Sequence, residues 1–348
     1  MKPETIRVAL LKGVETVMLD GDGVLATDED GKPLVPNVPL LVKRSKNGLS
    51  VNGRNVRGLF ASSPDFLLVN GKRYRGIIEV SSADKGILVV DELNLEDYLV
   101  GLINCEISSQ WPMESIKAQA VIARSYAIYQ REARKNAPYH LESSVLDQVY
   151  DGCDIEDSRA ARGVGETAGE VLTFDGKVIQ AFYHSNCGGH TEAVENVWGY
   201  PLTYLQGVDC KYCLVSGTGR WQQAIPLKKL ESLLRGGAYQ VYGLKEIKEG
   251  RRNRSGRLNE LFLVTSKGTV VIPAVGFRKV IGYSVIKSTN FEVKTVGDDV
   301  LFAGVGYGHG VGLCQWGAKQ RAEDGFDYRE ILSYYYPGTK LEKAYSDR

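Results

Sequence analysis

Three places in this 348-residue chain bring together residue types that do chemistry. The first is Glu106, in the run LINCEISSQWP, set between Cys105 and Ile107 and four residues after Leu102. A carboxyl in apolar surroundings loses solvation in its charged form, which raises its pKa toward the range a general acid needs near neutrality. The competing reading is a helix-cap or ion-pair carboxylate. The second place is Tyr183-His184-Ser185-Asn186-Cys187-Gly188-Gly189-His190, followed by Cys210-Lys211-Tyr212-Cys213. Together these read H-x2-C-x22-C-x2-C. Two residues between ligands let both reach one ion from a tight turn, and Gly188 and Gly189 leave backbone N–H groups near a thiolate. Three thiolates and an imidazole suit tetrahedral zinc. His184 is the better fourth ligand by spacing and His190 the alternative. Four protein ligands would close the site, so the ion would be structural. The competing reading is a Cys210–Cys213 disulfide or unligated cysteines. The third place is AGVGYGHGVG, with glycine at every second position from Gly304 to Gly312. In an extended chain one face would carry no side chains, and a backbone or polymer could approach it closely, with His309 on the opposite face. No G-K-[ST] follows and no dinucleotide-binding glycine pattern precedes a helix, which argues against a phosphate loop.

The elements that must position these residues are legible in outline. Residues 1–90 hold short apolar or alternating runs (IRVALL, ETVMLDG, PLLVKR, NVRGLF, DFLLV, YRGIIEV, KGILVV), separated by turns such as Asn52-Gly53 and Asn70-Gly71. From Asn94 the pattern becomes helical: Asn94 with Asp97 resembles a capping pair, and Leu95, Leu99, Leu102 and Ile103 mark one face. A second helix starts near Pro112, with a stripe of Ile116, Ala120, Ala123 and Ala127. Lys117, Arg124 and Arg131 recur every seven residues on another face, which reads as solvated. Residues 222–300 are mixed. Two strands there flank the basic run Arg251-Arg252-Asn253-Arg254-Ser255-Gly256-Arg257, which reads as a solvated hairpin tip; the sharper alternative is contact with an anionic polymer. Asp327 and Glu330 form a capping box before a helix that stops at Pro337-Gly338.

The expectation is an α+β chain: a strand-rich region over 1–90, then a mixed core over 91–345. A segment at about 222–300 is inserted in that core and adds strands to it. Apolar residues at 43% and charged residues at 24% are ordinary for a globular protein. Lys+Arg number 43 against 42 Asp+Glu, so no overall field favours nucleic acid or an anionic membrane. No apolar run is long enough to span a bilayer, and Glu4, Arg7, Lys12 and Glu15 leave no uncharged signal segment. Either the protein is cytoplasmic or a targeting segment was removed ahead of this numbering.

The blocks LEDYLVGLINCEI, MESIKAQAVIARSYAI, DQVYDG, HSNCGGHTEAVENVW, GYGHGVGLCQWGAKQRAEDG and EILSYYYPGT, in that order, resemble the SpoIID/LytB family of stage II sporulation protein D and amidase enhancers. The resemblance runs from about residue 90 to 340. It implies an extracytoplasmic enzyme of the cell envelope, a lytic transglycosylase acting on peptidoglycan glycan strands freed of stem peptides. Glu106 stands at the family's catalytic position. It would protonate the oxygen between N-acetylmuramic acid and N-acetylglucosamine, then take the proton of the muramic acid C6 hydroxyl as a 1,6-anhydro ring closes. A glycan-binding cleft would use His309, Gln315 and Tyr183 as sugar contacts, with Gly308 and Gly310 in its wall. Two departures stand out. Ile107-Ser108-Ser109-Gln110-Trp111-Pro112 replaces the Met-Pro of many relatives, and the Cys/His set is not general to the family. One alternative is a non-catalytic glycan-binding enhancer of a cell-wall amidase. The other is a zinc-dependent amidase or peptidase, which lacks support because no H-E-x-x-H occurs.

Overall fold

The computed structural model describes residues 4–34, 39–144, 147–215 and 217–345. The chain is α+β and divides into two compact units, Met1–Gln180 with Leu341–Arg348 and Ala181–Lys340.

Beside a small sheet that includes Glu170–Phe174 and Lys177–Val178, the first unit is built mainly on two larger ones. One runs in the spatial order Leu141–Glu142, Thr5–Val14, Gly86–Asn94, Ile77–Ala83, Gly58–Ser62, Leu25–Asp28 and Pro33–Leu34. The other runs Lys72–Tyr74, Leu67–Val69, Thr16–Asp20, Leu40–Ser45, Gly48–Val51 and Arg54–Val56. Asn52-Gly53 and Asn70-Gly71 turn two of the hairpins, with every φ positive, as tight two-residue loops between twisted strands require. No break falls at residue 90. The strand Gly86–Asn94 crosses it, pairs on both sides, and hands the chain directly to the first helix.

That helix, α1 (Leu95–Glu106), is capped by Asn94, whose side chain accepts from Glu96 N. Its face of Leu95, Leu99, Leu102 and Ile103 is buried. Helix α2 (Met113–Ala133) begins after Pro112, and its stripe of Ile116, Ala120, Ala123 and Ala127 is fully buried. The basic face of α2 is not solvated, contrary to expectation. Arg124 is wholly buried and meets the Glu96 carboxylate through Nε at 2.8 Å and Nη2 at 2.7 Å. Lys117 pairs with Glu166 at 2.7 Å, and Arg131 with Glu4. Cations seven apart lie on one side of a helix, and here each meets an acid from another segment.

In the second unit the inserted segment enters and leaves side by side. Strand Arg220–Pro226 pairs antiparallel with Asp299–Val305. A third strand, Phe291–Val296, completes that sheet, and Leu244–Glu249, Glu260–Thr265 and Gly268–Pro273 form another. Among the described residues these six strands pair only with one another. The segment therefore adds no strand to the surrounding core. It closes its own core, with Leu230, Leu234, Leu261, Phe277, Phe291 and Phe302 buried together.

Candidate functional site

Glu106 is the last residue of α1, half-buried, with no basic residue in the last turn. The helix end is the partially negative end, so the helix itself does nothing to neutralise a carboxylate there. Its Oε1 accepts from Val149 N at 3.1 Å. The DQVYDG motif aims that N–H. Asp147 accepts from Tyr126 Oη at 3.1 Å, Arg134 Nη1 at 2.8 Å and Glu142 N at 2.9 Å. Gln148 Oε1 accepts from Tyr98 Oη at 3.1 Å, and its Nε2 donates to Ala123 O at 3.4 Å. Gly101 lets this segment close on α1, because a Cβ there would stand 2.7 Å from both Gly152 O and the Tyr150 ring. The loop after Glu106 is pinned from the other side. Asn104 receives Ser109 N at 2.9 Å and donates to Asp157 Oδ2 at 2.9 Å, Ser109 Oγ also donates to Asp157, and Arg159 Nε reaches Ser109 O at 2.7 Å. The unusual Ile107–Pro112 sequence is thus an ordered loop beside the carboxyl. Burial opposes the charge on Asp157, but bonds from Ser109, Ala160, Asn104 and Arg159 hold its carboxyl below the usual value.

The second site gathers four buried sulfurs, those of Cys187, Cys210, Cys213 and Cys314, all within 4.8 Å of one another. All four are free thiols, so Cys210 and Cys213 form no disulfide. The fourth member is Cys314, where spacing nominated His184. The short parallel pairing of Tyr183–His184 with Leu313–Cys314 sets Cys314 beside His184 in register and sends its sulfur to the cluster. His184 instead bonds Val311 O through Nδ1 at 3.1 Å, and its ring lies 5.6 Å from that of His309. Burial holds His184 neutral, far below its ordinary pKa. His190 is outside the sulfur group too, its Nδ1 2.6 Å from Thr191 O.

Sulfurs around a tetrahedral ion with bonds of about 2.3 Å stand roughly 3.8 Å apart. Cys187 and Cys213 are 3.4 Å apart here, and the others lie within reach of the same centre. The surroundings suit thiolates. Cys187 N donates to Cys314 Sγ at 3.2 Å, and Tyr335 Oη lies 3.1 Å from Cys210 Sγ. Hydrogen bonds from Cys187, Cys210 and Cys314, with one from Gly188 N, pull Cys213 far below its ordinary pKa, while burial pushes Cys314 up. A divalent cation would favour all four as thiolates.

The glycine run is not an extended wall. Strand Asp299–Val305 takes in only its first glycine, Gly304, and Gly306, Gly308, Gly310 and Gly312 all have positive φ. Their missing side chains are required by close neighbours. A Cβ on Gly308 would lie 2.7 Å from His184 Cβ, one on Gly310 would lie 2.5 Å from Arg257 Cζ, and one on Gly312 would collide with Phe182 O. Gly308 and Gly310 therefore face protein rather than an open groove. Gln315 is buried at the start of a helix, Gln315–Glu323, and Tyr183 is half-buried. His309 packs its ring 5.0 Å from Trp198 and 5.9 Å from Phe182, and accepts from Val311 N at Nδ1. Burial, with Arg278 and Arg257 nearby, lowers its pKa to about 3, so the ring is neutral. Trp198 was not singled out by sequence. It stacks 4.2 Å from Phe182 yet remains 40% exposed.

In the basic turn Arg251, Arg252 and Arg254 are exposed as expected, but the turn is anchored beneath them: Ser255 and Arg257 are buried, and Ser255 Oγ, with Asn253 Nδ2, binds the Glu192 carboxylate at 2.7 and 2.5 Å.

Comparison with known proteins fits these sites to one family. The Stage II sporulation protein family matches residues 83–174, the stretch that holds Glu106 and DQVYDG. A domain of unknown function, DUF8618, matches residues 215–312, the inserted segment. An uncharacterized protein of Brachyspira hyodysenteriae is 34% identical over 312 residues, 88% of this chain and 82% of its own length. The amidase enhancer of Bacillus subtilis is 30% identical over 290 residues, 70% of this chain but 40% of the enhancer. Stage II sporulation protein D of the same organism is 26% identical over 277 residues, 73% of this chain and 76% of that protein. The chain belongs to the SpoIID/LytB family. Among the described residues no helix is long and apolar enough to cross a membrane.

Proposed function

We propose that this protein is a peptidoglycan lytic transglycosylase of the cell envelope, with Glu106 as its acid and then its base. The observation that carries the reading is the placement of Glu106: a half-buried carboxyl at the end of α1, oriented by Val149 N–H from a motif that three further contacts hold in place. The Glu106 proton passes to the glycosidic oxygen as the muramic acid C1–O bond breaks. The C6 hydroxyl oxygen then bonds to C1, and its proton returns to Glu106. The carboxyl ends as it began, so no second carboxylate is required. Half-exposed Trp198 and the neutral His309 ring offer an apolar face and a hydrogen-bonding edge of the kind sugars use. The four cysteines hold one zinc ion as a closed structural centre, which supplies cross-linking rather than chemistry.

The test is mass spectrometry of purified glycan strands, with and without stem peptides, after incubation with the protein. Anhydro-muramic ends are expected, and Glu106→Gln should form them at least about 100-fold more slowly while still binding glycan. Wild-type cleavage by Glu106→Gln would remove Glu106 from the mechanism. The amidase-enhancer relative favours one second reading, a glycan-binding partner of a cell-wall amidase. That reading predicts no new ends from the protein alone and faster release of stem peptides when an amidase is added. Stem peptides freed by the protein alone would point to an amidase activity of its own.

A further inference from the structure

The inserted segment sends one side chain into the sulfur centre's surroundings. Arg257 is 1% exposed. Its Nη2 donates to Cys187 O at 2.9 Å and its Nη1 to His190 O at 3.1 Å. Its Nε has no hydrogen-bond partner among the described residues. Gly310 is what makes room for it, since any Cβ there would stand 2.5 Å from the guanidinium carbon. A buried guanidinium is costly without an opposing charge, and among the described residues no carboxylate pairs with it. Glu192 is close enough to influence it. The oxygens of that acid are already served by neutral donors: Ser255 Oγ at 2.7 Å, Asn253 Nδ2 at 2.5 Å, Asn196 Nδ2 at 2.8 Å and Ala193 N at 2.8 Å.

The missing anion is the centre itself. Four thiolates around one divalent cation carry a net charge of two minus, buried with the ligands. Arg257 grips both ends of the loop that bears the first ligand, Cys187 and His190, and that loop contains the two positive-φ glycines that shape it. We propose that Arg257, supplied by the inserted segment, is the counter-charge and positioning residue of a metal–tetrathiolate centre, so that the segment and the ion hold one another in place. The proposal rests on the zinc reading above. It gives the 215–312 segment a definite role, which is to close and neutralise a centre that draws three of its four ligands from one side of the segment and the fourth from the other.

The experiment uses the full chain, purified under reducing conditions without added metal. Zinc content, the rate of zinc transfer to a chromogenic chelator, and the melting temperatures of loaded and metal-free protein are measured for wild type, Arg257→Met, Arg257→Lys, Glu192→Gln and the Arg257→Met/Glu192→Gln double variant. Cobalt substitution supplies a sulfur-to-metal charge-transfer band as an independent signature. Arg257→Met should speed zinc release about 10- to 100-fold, the scale of losing a group just outside the ligands. It should also shift the cobalt band and lower the melting temperature of loaded protein more than that of metal-free protein. Arg257→Lys keeps the charge and should release zinc at a rate between the two. Equal losses in loaded and metal-free protein with unchanged release would overturn the proposal, because they describe packing alone. Recovery of zinc retention in the double variant would also overturn it, because Arg257 would then serve Glu192. If Arg257→Met does not fold, Arg257→Lys decides: wild-type release from it refutes the role. Wild-type protein free of metal would refute the zinc reading and this proposal with it, whereas loaded wild type with an indifferent Arg257 refutes the proposal alone.

Discussion

The two largest wholly buried side chains are arginines, one in each unit, and they are held in opposite ways. Arg124 lays its guanidinium along the Glu96 carboxylate, which also receives Gly169 N and Tyr345 Oη. That pair is neutral by itself and ties α2 to the first turn of α1, the helix that ends at Glu106. Among the described residues Arg257 hydrogen-bonds only to carbonyl oxygens. The first arrangement is complete within the polypeptide. The second leaves Nε without a hydrogen-bond partner, and no carboxylate pairs with it, among the described residues; in the proposal above the thiols supply the missing anion. Burial of a cation can thus mark either a finished clamp or a site awaiting its ligand, and the difference lies in whether a carboxylate faces it.

The largest effect that could break this contrast is removal of the ion. Chelation under reducing conditions should cost the 181–340 unit several kcal/mol, on the order of what a closed zinc site contributes. Hydrogen exchange should show the lost protection there, with Met1–Gln180 little changed. Equal loss in both units would end the distinction. Next comes Arg124→Met, which leaves the partly buried Glu96 carboxylate without its cation and should cost about 2–3 kcal/mol by chemical denaturation, with or without metal.

A smaller effect is set by pH. Burial opposes ionisation of Glu96, but Arg124 and the groups from Tyr345 and Gly169 hold its carboxyl below the usual 4.5. A depressed folded-state pKa means the pair's stabilisation is fully present above pH 4.5 and lost as pH falls through the lower folded value. Wild type and Glu96→Gln should therefore converge in stability only in acid. A gap that stayed constant across that range would show that the pair acts through shape alone. The smallest effect concerns Asp91, the first unit's own buried group with no opposite charge. Burial lifts its pKa well above the carboxylate value against the Tyr150 hydrogen bond, and its Oδ1 has no partner among the described residues. Its raised folded pKa means its contribution is present below the ordinary carboxylate value and lost as pH rises. Asp91→Asn should therefore stabilise the protein by about 1 kcal/mol at neutral pH, with the gain shrinking toward acid in a melting series.

Local signals were well written in the sequence. The Asn94 cap, the leucine face of α1, the alanine stripe of α2 and the Asp327–Glu330 capping box all stand where spacing put them. These depend on neighbours within one or two turns. What the sequence hid depends on distant partners. Cys314 lies in a glycine-rich stretch far from the other three cysteines, so a search for paired ligands passes over it, although its place just after Gly312 and at the start of a helix was a usable hint. The alternating glycines have the period of a strand, yet their φ values answer to Phe182, His184 and Arg257, which no local window contains. The solvated reading of the basic face of α2, and of Arg257 alone in the 251–257 run, failed for the same reason: charge composition does not reveal that Glu96 waits for Arg124, or that a pocket waits for Arg257.

The antiparallel pairing of Arg220–Pro226 with Asp299–Val305 carries a consequence for how such a chain tolerates change. Cys187 and Cys314 are 127 positions apart, so an ion shared by them closes a long loop that contains the whole inserted segment. The entropy of closing a loop grows only with the logarithm of its length, about 0.6 kcal/mol for each doubling. Because the two ends of the segment already meet as neighbouring strands, its length can drift by tens of residues without straining the ligands. The excursion in this chain could therefore lengthen, shorten or change its surface while the four sulfurs keep their distances.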